Sequence, residues 1–174
     1  MKIFKLSMDV NNYKSVVLKD KNYWDIITNI NLKRVSDTWP AIELEFISKG
    51  KKGDCPDLIS SLPVFSERAI SILDDLLKDS VEYLPFLCPG KVKYYGVNVL
   101  KSIDCINHDN AEVVRFDSGR IMRFKKYAFK KDMLEGIQIF KIPDLLNSPV
   151  FVGEIFVDKV KETGLEGFKF EEVG

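Results

Sequence analysis

Alternating apolar and polar positions dominate the chain. Residues 41–47 set Ile42, Leu44 and Phe46 against Glu43 and Glu45, the period of two that a half-buried strand requires. Residues 2–7 read as a first strand. Residues 92–100 are rich in Val and Tyr, whose side chains suit a pleated surface. Residues 112–116 and 120–124 flank Asp117-Ser118-Gly119, the spacing of a hairpin whose three-residue loop puts Gly119 at positive φ. Residues 136–142, 150–156 and 167–173 complete the expected strands. Pro85 is expected at the end of a strand or on a sheet edge.

Helical periodicity is confined to fewer places. Ser66 precedes Glu67-Arg68-Ala69 as an N-cap residue, and Phe65 and Ile70 stand where a hydrophobic staple would close. Ala69, Leu73, Leu76 and Leu77 then share one face, so a helix is expected over about 66–79. A short C-terminal helix is expected over about 158–163. Gly164 would stop it, with Leu165 packing back on Val160 in a Schellman arrangement. Residues 23–28 fit a further short helix. The stretch 48–56, with Gly50, Gly53 and Pro56, reads as an exposed loop. Strands and helices do not alternate regularly. The expected class is therefore α+β: a single domain over 1–174, mainly antiparallel sheet, with one clear helix and one short one.

Composition narrows the function classes. A chain of 174 residues buries enough surface to hold a core without a metal or disulfide. Lys+Arg and Asp+Glu each number 26, so no long-range field favours nucleic acid, an anionic membrane or an acidic substrate. The three cysteines, Cys55, Cys88 and Cys105, are odd in number and widely spaced, which suits a reducing compartment. No apolar run approaches the roughly 20 residues of a membrane helix, and the N-terminus lacks a secretory apolar core. A cytoplasmic protein without membrane contact is expected.

The chemical inventory is thin. His108 is the one histidine, in the polar loop Asp104-Cys105-Ile106-Asn107-His108-Asp109-Asn110. A Cys105–His108 nucleophile pair would need a lowered thiol pKa and an oriented imidazole, and the sequence shows neither. The reading preferred is a solvated loop histidine beside a small buried thiol. Cys55, Cys88, Cys105 and His108 lack the short spacings of a zinc site. The paired carboxylates Glu43/Glu45, Asp74/Asp75 and Glu171/Glu172 have no companion base or nucleophile and read as solvent faces. Phosphate-cradling glycine motifs are absent. No catalytic, cofactor-binding or metal residue is therefore assigned, and no enzyme activity is expected. The densest basic stretch, residues 120–131, interleaves Phe124, Tyr127 and Phe129 with Arg120, Arg123, Lys125, Lys126, Lys130 and Lys131. That pattern supports an alternative function, a single-stranded nucleic-acid-binding module. The competing account buries Phe124 and Phe129 and leaves a solvated Lys face. It is favoured by the neutral overall charge, so no nucleic acid is expected.

Several short motifs follow one another in a characteristic order. Gly53-Asp54-Cys55-Pro56 is followed by Pro63-Val64-Phe65-Ser66-Glu67-Arg68 and by Val81-Glu82-Tyr83-Leu84-Pro85. Then come Tyr94-Tyr95-Gly96-Val97-Asn98-Val99, Ser102-Ile103-Asp104-Cys105-Ile106 and Ile139-Phe140-Lys141-Ile142. Ile155-Phe156-Val157 and Thr163-Gly164-Leu165-Glu166-Gly167-Phe168-Lys169-Phe170 close the series. In this order the chain resembles a bacterial immunity-protein family of polymorphic toxin systems, immunity family eleven, long a domain of unknown function. The likeness spans 54–174, while residues 1–50 carry no specific resemblance. Cys55 and Lys141 stand where that family often has an aromatic residue and an Arg.

The resemblance implies a stoichiometric inhibitor that binds a cognate toxin, usually encoded next door. Such a protein needs a preorganised surface and no catalysis of its own. Most of the motif residues have ready local roles in folding, Asp54 as the cap of a turn among them. The partner-binding residues are left unassigned. An uncovered sheet edge would admit a homodimer.

Overall fold

Residues with alternating burial form two sheets, each with apolar clusters against both faces but with Glu43, Glu45, Lys169 and Glu171 left exposed. The computed structural model describes residues 1–30, 32–60, 62–145 and 147–174. The first sheet has the order β11 (Phe168–Glu172), β1 (Ile3–Met8), β10 (Phe151–Gly153), β9 (Ile139–Phe140), antiparallel throughout. The second has the order β2 (Ser15–Leu18), β3 (Ile42–Ile47), β5 (Val81–Leu87), β6 (Tyr94–Val99), β4 (Val64–Ser66). Its one parallel pair is β3 with β5. A separate hairpin joins β7 (Glu112–Arg115) to β8 (Ile121–Lys126). The helices are α1 (Trp24–Asn29), α2 (Glu67–Leu77) and α3 (Glu154–Glu162). The class is α+β and mainly antiparallel, as the patterning predicts.

Side-chain parity explains the layering. In β1, Phe4, Leu6 and Met8 join a cluster with α2, α3 and β6, while Ile3 points the other way. Val81 and Tyr83 of β5 enter that central cluster too, and Leu84 and Phe86 leave it for a second one. Helices α2 and α3 thus share one core with both sheets, through Leu73, Leu77, Phe156 and Val160. The second core packs α1 on β2, β3 and β5. The third packs the β7–β8 hairpin and its flanking loops on β1, β9 and β10 through Phe124, Phe140 and Phe151. Residues 1–50 supply β1 to the middle of one sheet and β2 and β3 to the other, so they form no separate unit.

Local signals place several elements well. The Ser66 hydroxyl accepts from the Ala69 N–H at 3.1 Å, and α2 starts at the next residue. Ala69, Leu73 and Leu77 are fully buried and Leu76 partly so. Gly164 has φ 65, and the Leu165 N–H donates to the Val160 carbonyl at 3.1 Å, closing the Schellman turn. Gly119 has φ 83, and the Phe116 N–H donates to the Arg120 carbonyl across the expected three-residue loop.

Elsewhere the structure departs from the pattern. The strand expected over 150–156 ends at Gly153, and α3 begins at Glu154, earlier than the expected helix over 158–163. No side chain caps α3 from its own N-terminus. Instead, buried Gln138 reaches across, and its Oε1 accepts from the Phe156 N–H at 3.3 Å. The strand expected over 136–142 shortens to Ile139–Phe140. Strand β5 runs through Pro85, because β3 pairs with it only from Phe86 onward. Pro85 therefore lies on a locally open edge, and its carbonyl accepts from the Trp39 indole N–H at 2.9 Å. The loop expected to be exposed over 48–56 is buried from Gly53 to Pro56.

Glu82 on β5 faces Asn98 on β6 and is buried. Its carboxylate accepts from Asn98 Nδ2 (2.8 Å) and from the Val35 (2.7 Å) and Ser36 (3.3 Å) N–H groups. Burial pushes this carboxyl up, but those donors together outweigh it and hold it below the ordinary glutamate value. A depressed folded-state pKa stabilises the protein above the unfolded-state value and loses that contribution as pH falls through the folded value. Glu82→Gln is expected to cost about 2 kcal/mol at pH 7. The gap to wild type should narrow as urea unfolding is repeated below about pH 4. A gap as wide at pH 3 as at pH 7 would contradict this.

A Cβ on Gly153 would lie 2.5 Å from Gln138 Oε1. Gly153→Ala must therefore displace the group that caps α3. Chemical denaturation should show a loss of about 1–2 kcal/mol, and an unchanged midpoint would refute the cross-chain cap.

Candidate functional site

Two polar constellations stand out from the apolar framework. The first is built on Asp54, at the buried end of the loop before β4. Asp54 Oδ1 accepts from the Ser66 hydroxyl at 2.7 Å. Its Oδ2 accepts from Arg68 Nη1 at 2.8 Å and from the Glu166 N–H at 2.9 Å. Its backbone N–H donates to the Glu166 carbonyl at 2.8 Å, and its carbonyl accepts from the Ser66 N–H at 2.8 Å. Arg68 continues to the Thr163 carbonyl at 3.1 Å, at the end of α3. Nearby, the Tyr94 hydroxyl donates to the Gly53 carbonyl at 3.0 Å. Gly167, at φ 89, lets the backbone after α3 approach Cys55 closely. The expected local turn cap at Asp54 is thus a junction between three distant segments.

The second constellation joins two loops on the far side of the first sheet. Ile103 N–H donates to the Lys141 carbonyl, and Lys141 N–H to the Lys101 carbonyl, each at 2.9 Å. This backbone pairing sets the segment after β6 beside the segment after β9. Asn107 then shapes the turn, its Oδ1 accepting from the Asp109 N–H at 3.2 Å. His108 is held over Asp144, with Nε2 at 2.9 Å from Oδ1. Asp104 lies alongside, and one donor atom from each of the three residues falls within 4.8 Å of the others.

The sequence candidates are placed as follows. Cys55, Cys88 and Cys105 belong to three different clusters and do not converge on His108. Burial pushes the Cys105 thiol up to about 11, as it does that of Cys88, and also holds the Cys55 thiol well above its ordinary value. Thiols so shifted stay protonated at neutral pH, the opposite of nucleophile activation. His108 is exposed, as expected of a solvated loop histidine, but it also meets a carboxylate, a relation to Asp144 that the sequence reading missed. No local spacing could have found it, because the partners come from segments about forty positions apart.

The paired carboxylates are engaged on the surface. Glu43 pairs with Lys19, Asp75 with Lys159, Glu171 with Lys5 and Glu172 with Lys2. In the basic stretch, Phe124, Tyr127 and Phe129 stack on one another and pack on Phe151 inside the third core. Phe124 is buried and Tyr127 and Phe129 are partly buried, while Arg123, Lys125 and Lys126 face outward. An apolar groove of about 440 Å³ also opens beside α1, lined by Val17, Leu18, Trp24, Leu58 and Ile59.

A family model described as the immunity protein family (Imm11) matches residues 2–174. The chain belongs to the Imm11 immunity protein family. Membership gives it a toxin-immunity role in general terms and points to a non-enzymatic one. No curated protein matches the chain. The Imm11 match takes in the first fifty residues, whose strands lie within both sheets. The motifs that carry the resemblance meet in this Imm11 chain around Asp54: Gly53-Asp54-Cys55-Pro56, Ser66-Glu67-Arg68 and Thr163 to Gly167. They act there on the fold. Among the described residues, no helix is long and apolar enough to cross a membrane.

Asp54→Ala removes the acceptor for a hydroxyl, a guanidinium and a backbone N–H at once. Urea unfolding should show a loss of about 3 kcal/mol or more, since partners left without an acceptor carry the cost. Arg68→Ala, on a half-exposed side chain, should cost less. Equal losses would place the energy in the ion pair rather than in the buried junction.

Proposed function

We propose that the protein protects its producing cell by binding a cognate toxin one to one and blocking it before it acts. The observation that carries this reading is the Imm11 match along essentially the whole chain. The structure supports it in a second way. The aromatic residues of the basic stretch pack on one another and on Phe151, an arrangement that favours a core role over a stacking platform for single-stranded nucleic acid. The shifted thiols and ion-paired carboxylates also favour inhibition by occlusion over catalysis.

Occlusion asks little of an inhibitor's own chemistry. It asks for a surface that keeps its shape, so that little ordering entropy is lost on binding. A fold whose two sheets are held by three apolar clusters supplies such a surface. The setting is the cytoplasm, and the toxin is the product of a neighbouring gene.

The test is co-expression followed by co-purification. Tagged protein should bring down a neighbouring-gene product carrying a toxic domain, in a one-to-one complex, and should restore growth to cells expressing that domain. Growth that remains arrested at equal expression, with no complex on size-exclusion chromatography, would reject the proposal.

A further inference from the structure

We propose that Asp104, His108 and Asp144 form a binding site for one divalent transition-metal cation of the zinc type. The site is separate from the immunity reading and stands or falls without it.

The donor set comes first. One imidazole nitrogen and two carboxylate oxygens suit zinc and its first-row neighbours better than magnesium or calcium, which prefer oxygen alone. Around a zinc ion with donors at about 2.1 Å, adjacent donor atoms lie on the order of 3–3.5 Å apart. The His108–Asp144 contact, at 2.9 Å, is already near that spacing. Asp104 is exposed, and its donor atom already lies within 4.8 Å of those of the other two.

Asp144 supplies the independent observation. Its side chain is only 7% exposed, yet it lies at the exposed His108. Oδ1 meets His108, whereas Oδ2 is buried with no hydrogen-bond partner among the described residues. A buried carboxylate oxygen without a donor is costly and therefore rare. No Lys or Arg of the described ion pairs reaches Asp104 or Asp144. Lys141, three residues before Asp144, is shifted by burial alone and in the downward direction. A cation at this cluster would give the Asp144 carboxylate a partner that the described residues do not supply.

The scaffold is suited to the task. Both donor segments leave paired backbone, at Ile103–Lys141 and Lys141–Lys101, so the donors hang from short stems. A cation held there would pin the loop leading into the β7–β8 hairpin to the loop leading into β10. Three protein donors leave the remaining coordination positions to water on the solvent side.

Chelator-treated full-length protein, kept reduced, is titrated with zinc chloride by calorimetry and by thermal melting. One-to-one saturable binding and a raised Tm are expected. His108→Gln and Asp144→Asn should each weaken binding at least tenfold and abolish the Tm rise. Cys88→Ala should change neither, which separates the site from adventitious thiol binding. Millimolar magnesium should not compete. His108 is half exposed, so its variant is expected to fold, and circular dichroism checks this. Absence of one-to-one binding overturns the proposal, as does binding unchanged in both His108→Gln and Asp144→Asn. Either result would leave His108 and Asp144 as a simple polar contact.

Discussion

A single carboxylate in a buried loop organises the core. Asp54 enters the interior only because three donors meet it there, from two distant parts of the chain. Ser66 belongs to the start of α2, Arg68 to its first turn, and Glu166 to the link between α3 and β11. The hydroxyl of Ser66 accepts the Ala69 N–H while donating to Asp54, so capping of the helix and docking of the loop are one act. Without that junction, the loop would have to return its polar backbone to water. The two helices would then lose their shared anchor at the edge of the central core.

Much of this fold is legible from the sequence, and the reasons are local. Helix α2 is readable because its cap, its apolar face and its preceding Phe65 all lie within a dozen residues. The β7–β8 hairpin is readable because Gly119 marks its loop. The end of α3 is readable because Gly164 and Leu165 stand where a Schellman turn puts them. Its beginning is not. Val150, Phe151, Val152, Ile155 and Phe156 read as a buried strand, and the acceptor that starts the helix is Gln138, from another segment. Strand β5 is obscured by Pro85, whose missing donor costs nothing where the neighbouring strand has not yet begun.

The polar sites divide in the same way. The basic-aromatic stretch keeps its alternation in three dimensions, rings inward and cations outward, which is the bland outcome its periodicity already favours. Asp54 stands out in sequence as part of a motif, yet its role rests on contacts across the whole chain. His108 stands out as the one histidine, but its partner Asp144 sits in a loop with nothing in its neighbours to mark it. Composition correctly weighs such residues as unremarkable one at a time. Only the pairing of the Ile103 and Lys141 backbones brings them together.

The position of β1 has a consequence for the newly made protein. It precedes both its neighbours, β10 and β11, by about 150 residues or more of chain. Until both have been made its two edges stay unsatisfied, a state that invites pairing with other chains. Sequence-distant contacts of this kind also slow folding. The first sheet therefore closes only once both of these later strands are in place.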